Sequence, residues 1–216
     1  MDLVRGFVDF VLHLDVHLAE IIQRHGVHTY TLLFTIIFLE TGLVITPFLP
    51  GDSLLFAAGS FAGLGALRLW PLFFLCCTAA ILGDTLNYAI GAYLGPKVFQ
   101  YQKSRFFNPD HLRKTHEFYE RYGGKTIIIA RFIPIIRTFA PFVAGVGKMS
   151  YAHFLSYNVI GGLLWVSICV FSGYFFGNLP FVKKNFSLVI LAIIVISVLP
   201  AVFEVLKHRA EKKRRV

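Results

Sequence analysis

Charged residues are scarce in this sequence. Asp, Glu, Lys and Arg make up 15% of its 216 residues, whereas a soluble globular domain carries about 25%. Hydrophobic residues make up 56%, and 23 of the residues are Phe. This balance excludes an ordinary soluble domain and indicates a membrane protein.

The few cysteines and histidines are not arranged for catalysis or metal binding. Cys76, Cys77 and Cys169 lie in apolar segments without metal-ligand or redox spacing, which predicts small packing residues. No histidine occurs between Thr29 and Asp110, and we find neither a nucleophile elbow nor a zinc motif. We therefore expect no cofactor, no metal and no enzymatic activity.

Long apolar segments are present instead. Crossing a bilayer takes about 20 apolar residues, and segments 69–95, 153–177 and 186–206 reach that length. Segments 30–66 and 126–147 are also apolar, but each is broken by proline. The sequence therefore predicts a polytopic all-α protein.

The N-terminal segment 3–28 has a different pattern. Its apolar residues recur at helical spacing, with acids, histidines and an arginine between them. This pattern predicts an amphipathic helix at the membrane interface, and a weak first span is the alternative.

Positive charge is concentrated in two blocks. The formal net charge is +9, and Lys and Arg cluster in the loop 96–125 and in the tail 207–216. Beside apolar spans, such blocks indicate the cytoplasmic side and contact with anionic headgroups rather than nucleic acid. We therefore expect a cytoplasmic C-terminus and no nucleic-acid partner.

Both broken segments combine prolines with charges. Pro47, Pro50 and Gly51 interrupt the first, and Pro134 interrupts the second. Backbone groups freed in this way are tolerated at membrane depth only where protein or water covers them, so each break should line a cavity. On an unbroken helix Arg131 and Arg137 would point about 120° apart, about 9 Å apart along the axis. They converge on one ligand only if the helix is broken.

The two halves of the chain repeat this order of elements. A broken segment ends in Ala-Gly, at Ala58-Gly59 and at Ala144-Gly145, and a full span follows. This order predicts two inverted repeats, each formed by a re-entrant broken-helix hairpin and transmembrane helices.

Four charged residues flank the breaks and are the predicted substrate-binding residues: Glu40, Asp52, Arg131 and Arg137. Arginine suits a phosphate because its planar, permanently charged fork holds two oxygens at once. The two acids could carry protons or pair with the arginines as substrate arrives and leaves. The alternative is that the four charges are structural ion pairs.

Further residues are candidates for lining the same cavity: Asp84, Asn87, Pro50, Gly51 and Pro134. Asp84 could instead satisfy an arginine of the second half, because an acid within a span needs a partner. Gly59 and Gly63, Gly91 and Gly95, and Gly173 and Gly177 have small-xxx-small spacing. This spacing favours close helix packing, and homodimerisation is the other reading.

The residues around both breaks resemble those of the DedA family, part of a superfamily that includes eukaryotic autophagy scramblases. The resemblance covers residues 38–55, 83–88 and 123–145 and extends from the first residues to the last span. Its specific signatures are a Glu followed by Pro-Gly-Asp, and Ala-Arg-x-x-Pro-x-x-Arg. The family's essential acids and arginines correspond to Glu40, Asp52, Arg131 and Arg137.

The resemblance implies a multi-pass protein of the bacterial inner membrane with two opposed re-entrant hairpins. It also implies roles in membrane potential, envelope integrity and cell division, and transport of undecaprenyl phosphate or phosphatidylethanolamine. The leading hypothesis is therefore translocation of a lipid phosphate headgroup, with protons as a candidate coupling ion. A proton-coupled antiporter of small cations or drugs is the alternative function.

Overall fold

The structure is a computed structural model that describes residues 18, 20–22, 24, 26–43, 51–100, 124–193 and 195–196, with the backbone alone at 96–100 and 134–135. These residues contain helices and turns and no strand. The named helices are α1 (His28–Gly42), α2 (Gly51–Gly63), α3 (Leu69–Gln100), α4 (Lys125–Ala130), α5 (Pro134–Val146), α6 (Tyr151–Phe176) and α7 (Pro180–Lys184).

The long helices agree with the predicted spans. Leu69–Gly95 and Tyr151–Phe176 are long and apolar enough to cross a membrane. Helix α3 continues to Gln100, five residues into the predicted basic loop. The remainder of that loop, at 101–123, the tail 207–216 and most of the predicted amphipathic helix lie outside the described residues. For the third predicted span, residues 186–193 are helical, and the segment from 197 onward lies outside the described part.

Helices α4 and α5 are separated at the predicted proline break. Across 131–133 the backbone changes to i→i−3 hydrogen bonds, such as Ile133 N–H to the Ala130 carbonyl at 3.0 Å. Ile133 is extended at φ −122° and ψ 103°, because the proline ring that follows disfavours the helical conformation there. Pro134 then begins α5 at a position where its missing N–H costs nothing.

The chain forms two compact units, defined here as the first unit (1–34, 50–76 and 166–216) and the second unit (35–49 and 77–165). In the first unit, α2 packs tightly on α6. A Cβ atom on Gly59 would overlap the Val170 carbonyl, and one on Gly173 would overlap the Phe56 carbonyl. The Asn178 amide also donates to the Ser60 carbonyl at 3.1 Å.

In the second unit, α5 packs on α3 through the same kind of contact. A Cβ atom on Gly145 would overlap the Tyr88 carbonyl, and one on Gly91 would overlap the Phe142 carbonyl. The Tyr88 ring stacks on Phe154 with centroids 4.5 Å apart. The small-xxx-small glycines therefore serve close helix packing within each unit, because only glycine allows the backbones to approach this closely.

We expect Gly91→Ala to destabilise the protein by about 2–3 kcal/mol, because the added methyl group would force α3 away from the Phe142 carbonyl. Gly95→Ala is the matched control on the same helix. Its Cβ would lie 3.2 Å from Val146 Cα, and alanine's better helix propensity, worth about 1 kcal/mol, offsets that crowding. Unfolding of both variants in detergent micelles tests this. Equal stability of the two would contradict the packing at Gly91.

Candidate functional site

The candidate site consists of the charged side chains buried in the second unit. Among the described residues, the buried acids and bases are Glu40, Asp84, Arg131 and Arg137, each at most 3% exposed. All four belong to the second unit. Two carboxylates and two guanidinium groups balance in charge, as burial away from water requires.

Glu40 and Arg137 form the first ion pair. Glu40 lies near the C-terminal end of α1 and Arg137 in the first turn of α5, and Arg137 Nη2 donates to Glu40 Oε1. The guanidinium carbon also lies 4.8 Å from the centre of the Trp165 ring on α6. Trp165 thus contributes a cation–π contact, which can be worth about 2 kcal/mol when desolvated. Three helices hold this arginine in one place.

Arg131 and Asp84 form the second ion pair, to which Asn158 adds a third side chain. Arg131 Nη2 donates to both Asp84 Oδ2 and Asn158 Oδ1. Asn158 is fixed in turn, because its own amide group donates to the Ile81 carbonyl at 3.0 Å. The arginine side chain lies across Gly161, where a Cβ atom would come within 2.9 Å of Arg131 Cδ. Without a side chain there, α6 leaves room for the guanidinium group.

Asn87 holds the backbones next to the first ion pair. Its Nδ2 donates to the Thr138 carbonyl at 2.7 Å and to the Thr41 carbonyl at 3.3 Å. These carbonyls belong to the residues that follow Arg137 and Glu40 in the chain. The Thr41 carbonyl is one of the last four in α1, and the last four carbonyl groups of a helix accept no hydrogen bond from within it. Asn87 therefore caps α1 and fixes α5 relative to it.

We expect Asn87→Ala to destabilise the protein by about 2 kcal/mol, because it removes both hydrogen bonds within a buried region. Asn87→Asp should be worse, since a carboxylate would face two carbonyl oxygens without a donor. Asn178→Ala is the control, because it removes one amide hydrogen bond, from the turn after α6 to the Ser60 carbonyl of α2. Unfolding in detergent micelles ranks the three. An Asn87→Ala variant as stable as Asn178→Ala would contradict the capping role.

The other predicted site residues belong to both units. Asp52 and Gly51 begin α2 in the first unit, with Gly51 buried and Asp52 half-buried. Pro50 lies outside the described residues. Pro134 begins α5, three residues before Arg137. The second unit therefore contains three of the four predicted binding residues, together with Asp84 and Asn87.

Neither Trp165 nor Asn158 was among the site residues predicted from the sequence. A signal for both was present in the spacing of α6. Gly161 and Trp165 follow Asn158 by three and seven residues, and this spacing places all three on one face of the helix. An amide, a gap and an aromatic ring on one face form a cradle for arginine side chains.

These observations define a class: a helical membrane protein with two ion pairs buried beside a helix break. A family model described as the VTT domain matches residues 49–175. Over 99% of both chains, the sequence is 55% identical to "Protein DedA" of Escherichia coli K12. The chain belongs to the DedA family.

More distant relatives agree with this assignment. An uncharacterized membrane protein of Mycobacterium leprae is 45% identical over 77% of this chain and 74% of its own length. Inner membrane protein YghB of E. coli K12 is 34% identical over 82% of this chain and 78% of its own length. No solved structure matches the chain.

Proposed function

We propose that this protein translocates lipids with a phosphate headgroup across the bacterial inner membrane. The observation that carries the proposal is the pair of buried arginines, Arg131 and Arg137, each held by a carboxylate within apolar helices. Arginine binds phosphate as a fork of two N–H groups. An entering phosphate would take the place of a carboxylate as the partner of a guanidinium group, while the lipid tails stay in the bilayer.

The substrate is either a polyprenyl phosphate, such as undecaprenyl phosphate, or a phospholipid, such as phosphatidylethanolamine. Both present a phosphate on an apolar tail, and both follow from the family resemblance. The site is proposed for binding and not for catalysis. Release of inorganic phosphate from either lipid by the purified protein would overturn that part.

We further propose that the chain contains two inverted repeats with re-entrant hairpins. The helices α1, α2 and α5 have 15, 13 and 13 residues, which is fewer than the roughly 20 that a single crossing needs. The contacts of the two units also correspond. Phe56 and Gly59 meet Val170 and Gly173 in one, and Phe142 and Gly145 meet Tyr88 and Gly91 in the other. Both sets have the same three-residue spacing.

The proposed location is the inner membrane, with a cytoplasmic C-terminus. Two relatives, YghB and YqjA of E. coli, are described as inner membrane proteins. The basic tail at 207–216 supports the orientation, because cytoplasmic segments carry an excess of Lys and Arg. A reporter fused to the C-terminus should be accessible from the cytoplasm only. Periplasmic accessibility would contradict the orientation.

Transport is tested with purified protein in liposomes that contain a fluorescent phospholipid or a polyprenyl phosphate. A reagent that cannot cross the membrane destroys fluorescence, or reacts with phosphate, in the outer leaflet alone. With wild-type protein present, we expect the labelled lipid of both leaflets to become accessible to the reagent.

The same assay with an imposed proton gradient tests proton coupling. An unchanged transport rate would contradict coupling. Exchange of protons for small cations, without lipid movement, would support the antiporter and overturn the proposal.

A further inference from the structure

The way in which Arg131 uses its donors restricts how it can bind a phosphate. Its Nη2 group serves both Asp84 and Asn158, whereas its Nε and Nη1 groups have no hydrogen-bond partner among the described residues. A guanidinium group offers two forks, formed by Nη1 with Nη2 and by Nε with Nη2. Both forks include Nη2. Arg131 can therefore bind a phosphate through two hydrogen bonds at once only after Asp84 or Asn158 releases Nη2.

Of the two acceptors, Asp84 is the one that can leave. Asn158 is anchored by its own donation to the Ile81 carbonyl at 3.0 Å, and it is neutral. The carboxyl group of Asp84 is held through Oδ2 alone, because Oδ1 has no hydrogen-bond partner among the described residues. Rotation of this one side chain frees Nη2.

The charge balance shows what must accompany that release. The buried cluster has two positive charges, on Arg131 and Arg137, and two negative charges, on Glu40 and Asp84. A singly charged phosphate would leave one net negative charge in a region of low dielectric, which is unfavourable. Neutrality returns if one carboxylate binds a proton. Glu40 remains paired with Arg137, whereas Asp84 loses its partner to the phosphate.

From this geometry we propose that Asp84 is a proton-linked gate on Arg131, and that Asn158 is a positioning residue for the same guanidinium group. On phosphate binding, the Arg131–Asp84 ion pair breaks, one Asp84 oxygen takes up a proton from the bulk aqueous solution, and Arg131 donates to two phosphate oxygens. Release of the phosphate reverses each step. This gate rests on the proposed phosphate binding and adds the group that takes up the proton.

The described polar and charged groups around Asp84 come from four helices. They are Arg131 at the end of α4, Asn158 on α6, and Arg137 on α5 with its partner Glu40 on α1. Cys77, on the helix that carries Asp84, interacts with Arg131. Because Glu40 is the other buried carboxylate, it is the competing site for the proton and has to be tested beside Asp84.

The test measures binding of short-chain phosphatidylglycerol to the full-length protein in nanodiscs, as a function of pH. This phosphodiester keeps a single charge, so its own titration cannot imitate the effect. If one proton enters with each lipid, wild-type affinity should fall about tenfold for each pH unit above neutrality. Asp84→Asn should remove this slope and bind about tenfold more tightly at high pH, because no carboxylate competes for Nη2. Asp84→Glu should retain the slope.

Asn158→Asp tests the same proposal independently, in case the Asp84→Asn variant does not fold. It would place a second carboxylate on Nη2, so we expect about tenfold weaker binding at high pH and a steeper pH slope. Asn158→Ala should weaken binding while keeping the slope. Asn178→Ala, which removes an amide bonded to the Ser60 carbonyl, should change neither quantity.

The possible failures are distinguishable. If wild-type protein binds neither phosphatidylglycerol nor, in the same assay, phosphatidylethanolamine or a polyprenyl phosphate, the proposed function and the gate both fail. If it binds without a pH slope, or if Asp84→Asn keeps the wild-type slope or binds more weakly at every pH, the gate alone fails. A slope that persists in Asp84→Asn and disappears in Glu40→Gln would assign the proton to Glu40 and also overturn the gate.

Discussion

Arg137→Ala is expected to destabilise the protein by about 3–5 kcal/mol and to abolish lipid transport. The pair that it forms with Glu40 is buried on both sides, at 3% and 0% exposure. Removing one partner leaves an uncompensated charge in an apolar region, which costs about that amount. The Trp165 ring would also lose the cation above it. Chemical unfolding in micelles measures the first effect and the liposome assay the second.

A double variant separates stability from function. Glu40→Gln combined with Arg137→Gln removes both charges together and leaves two amides of similar size that can hydrogen-bond to each other. We expect most of the lost stability to return, since replacing both partners of a buried pair is often nearly neutral. Transport should remain absent, because only one of the two guanidinium groups proposed to bind phosphate, that of Arg131, is left. Recovery of transport in the double variant would show that the pair is structural.

The second large effect is expected at Arg131. Arg131→Ala should abolish transport, and Arg131→Lys should retain a small fraction, lower than wild type by about a hundredfold. A lysine keeps the charge but offers a single nitrogen, so it cannot hold two phosphate oxygens as a fork. It also cannot reproduce the planar contact with Asp84 and Asn158. Initial transport rates in liposomes, at matched protein content, give the ranking.

Lys125→Ala is the control for this series. Lys125 is an exposed cation that begins α4, the helix that ends immediately before Arg131. Its loss removes a positive charge close in sequence without altering the buried pairs, so transport should be unchanged. If the lysine and alanine variants of Arg131 were equally inactive while correctly folded, binding through a fork would be contradicted.

The break at Pro134 and two of the spans were accessible from the sequence because each depends on local chemistry, whereas the first break, at 47–50, lies outside the described residues. Pro134 cannot continue a helix with a normal hydrogen bond, and the structure places the interruption at 131–133. The spans at 69–95 and 153–177 follow from length and composition alone, and the structure has apolar helices of sufficient length at Leu69–Gly95 and Tyr151–Phe176. Their existence did not require knowledge of any distant contact.

Pairing between the charges could not be derived in this way. The sequence grouped Glu40, Asp52, Arg131 and Arg137 because they flank the breaks, and it left two roles open for Asp84. The ion pairs connect residues 97 and 47 positions apart in the chain. No local pattern specifies which acid meets which arginine across such distances. The Trp165 contact and the anchoring of Asn158 depend on the same long-range packing.

From the sequence alone we predicted a helical membrane protein that resembles the DedA family, with charges beside proline breaks, of which the described residues contain the one at Pro134. Those properties follow from hydrophobic length, from the missing N–H of proline and from the cost of burying charge. The tertiary structure decided that Glu40 pairs with Arg137 and Asp84 with Arg131, because glycines at 91 and 161 let helices and side chains approach closely enough for these groups to meet. The partner of each buried charge is a property of helix packing, which no single segment encodes.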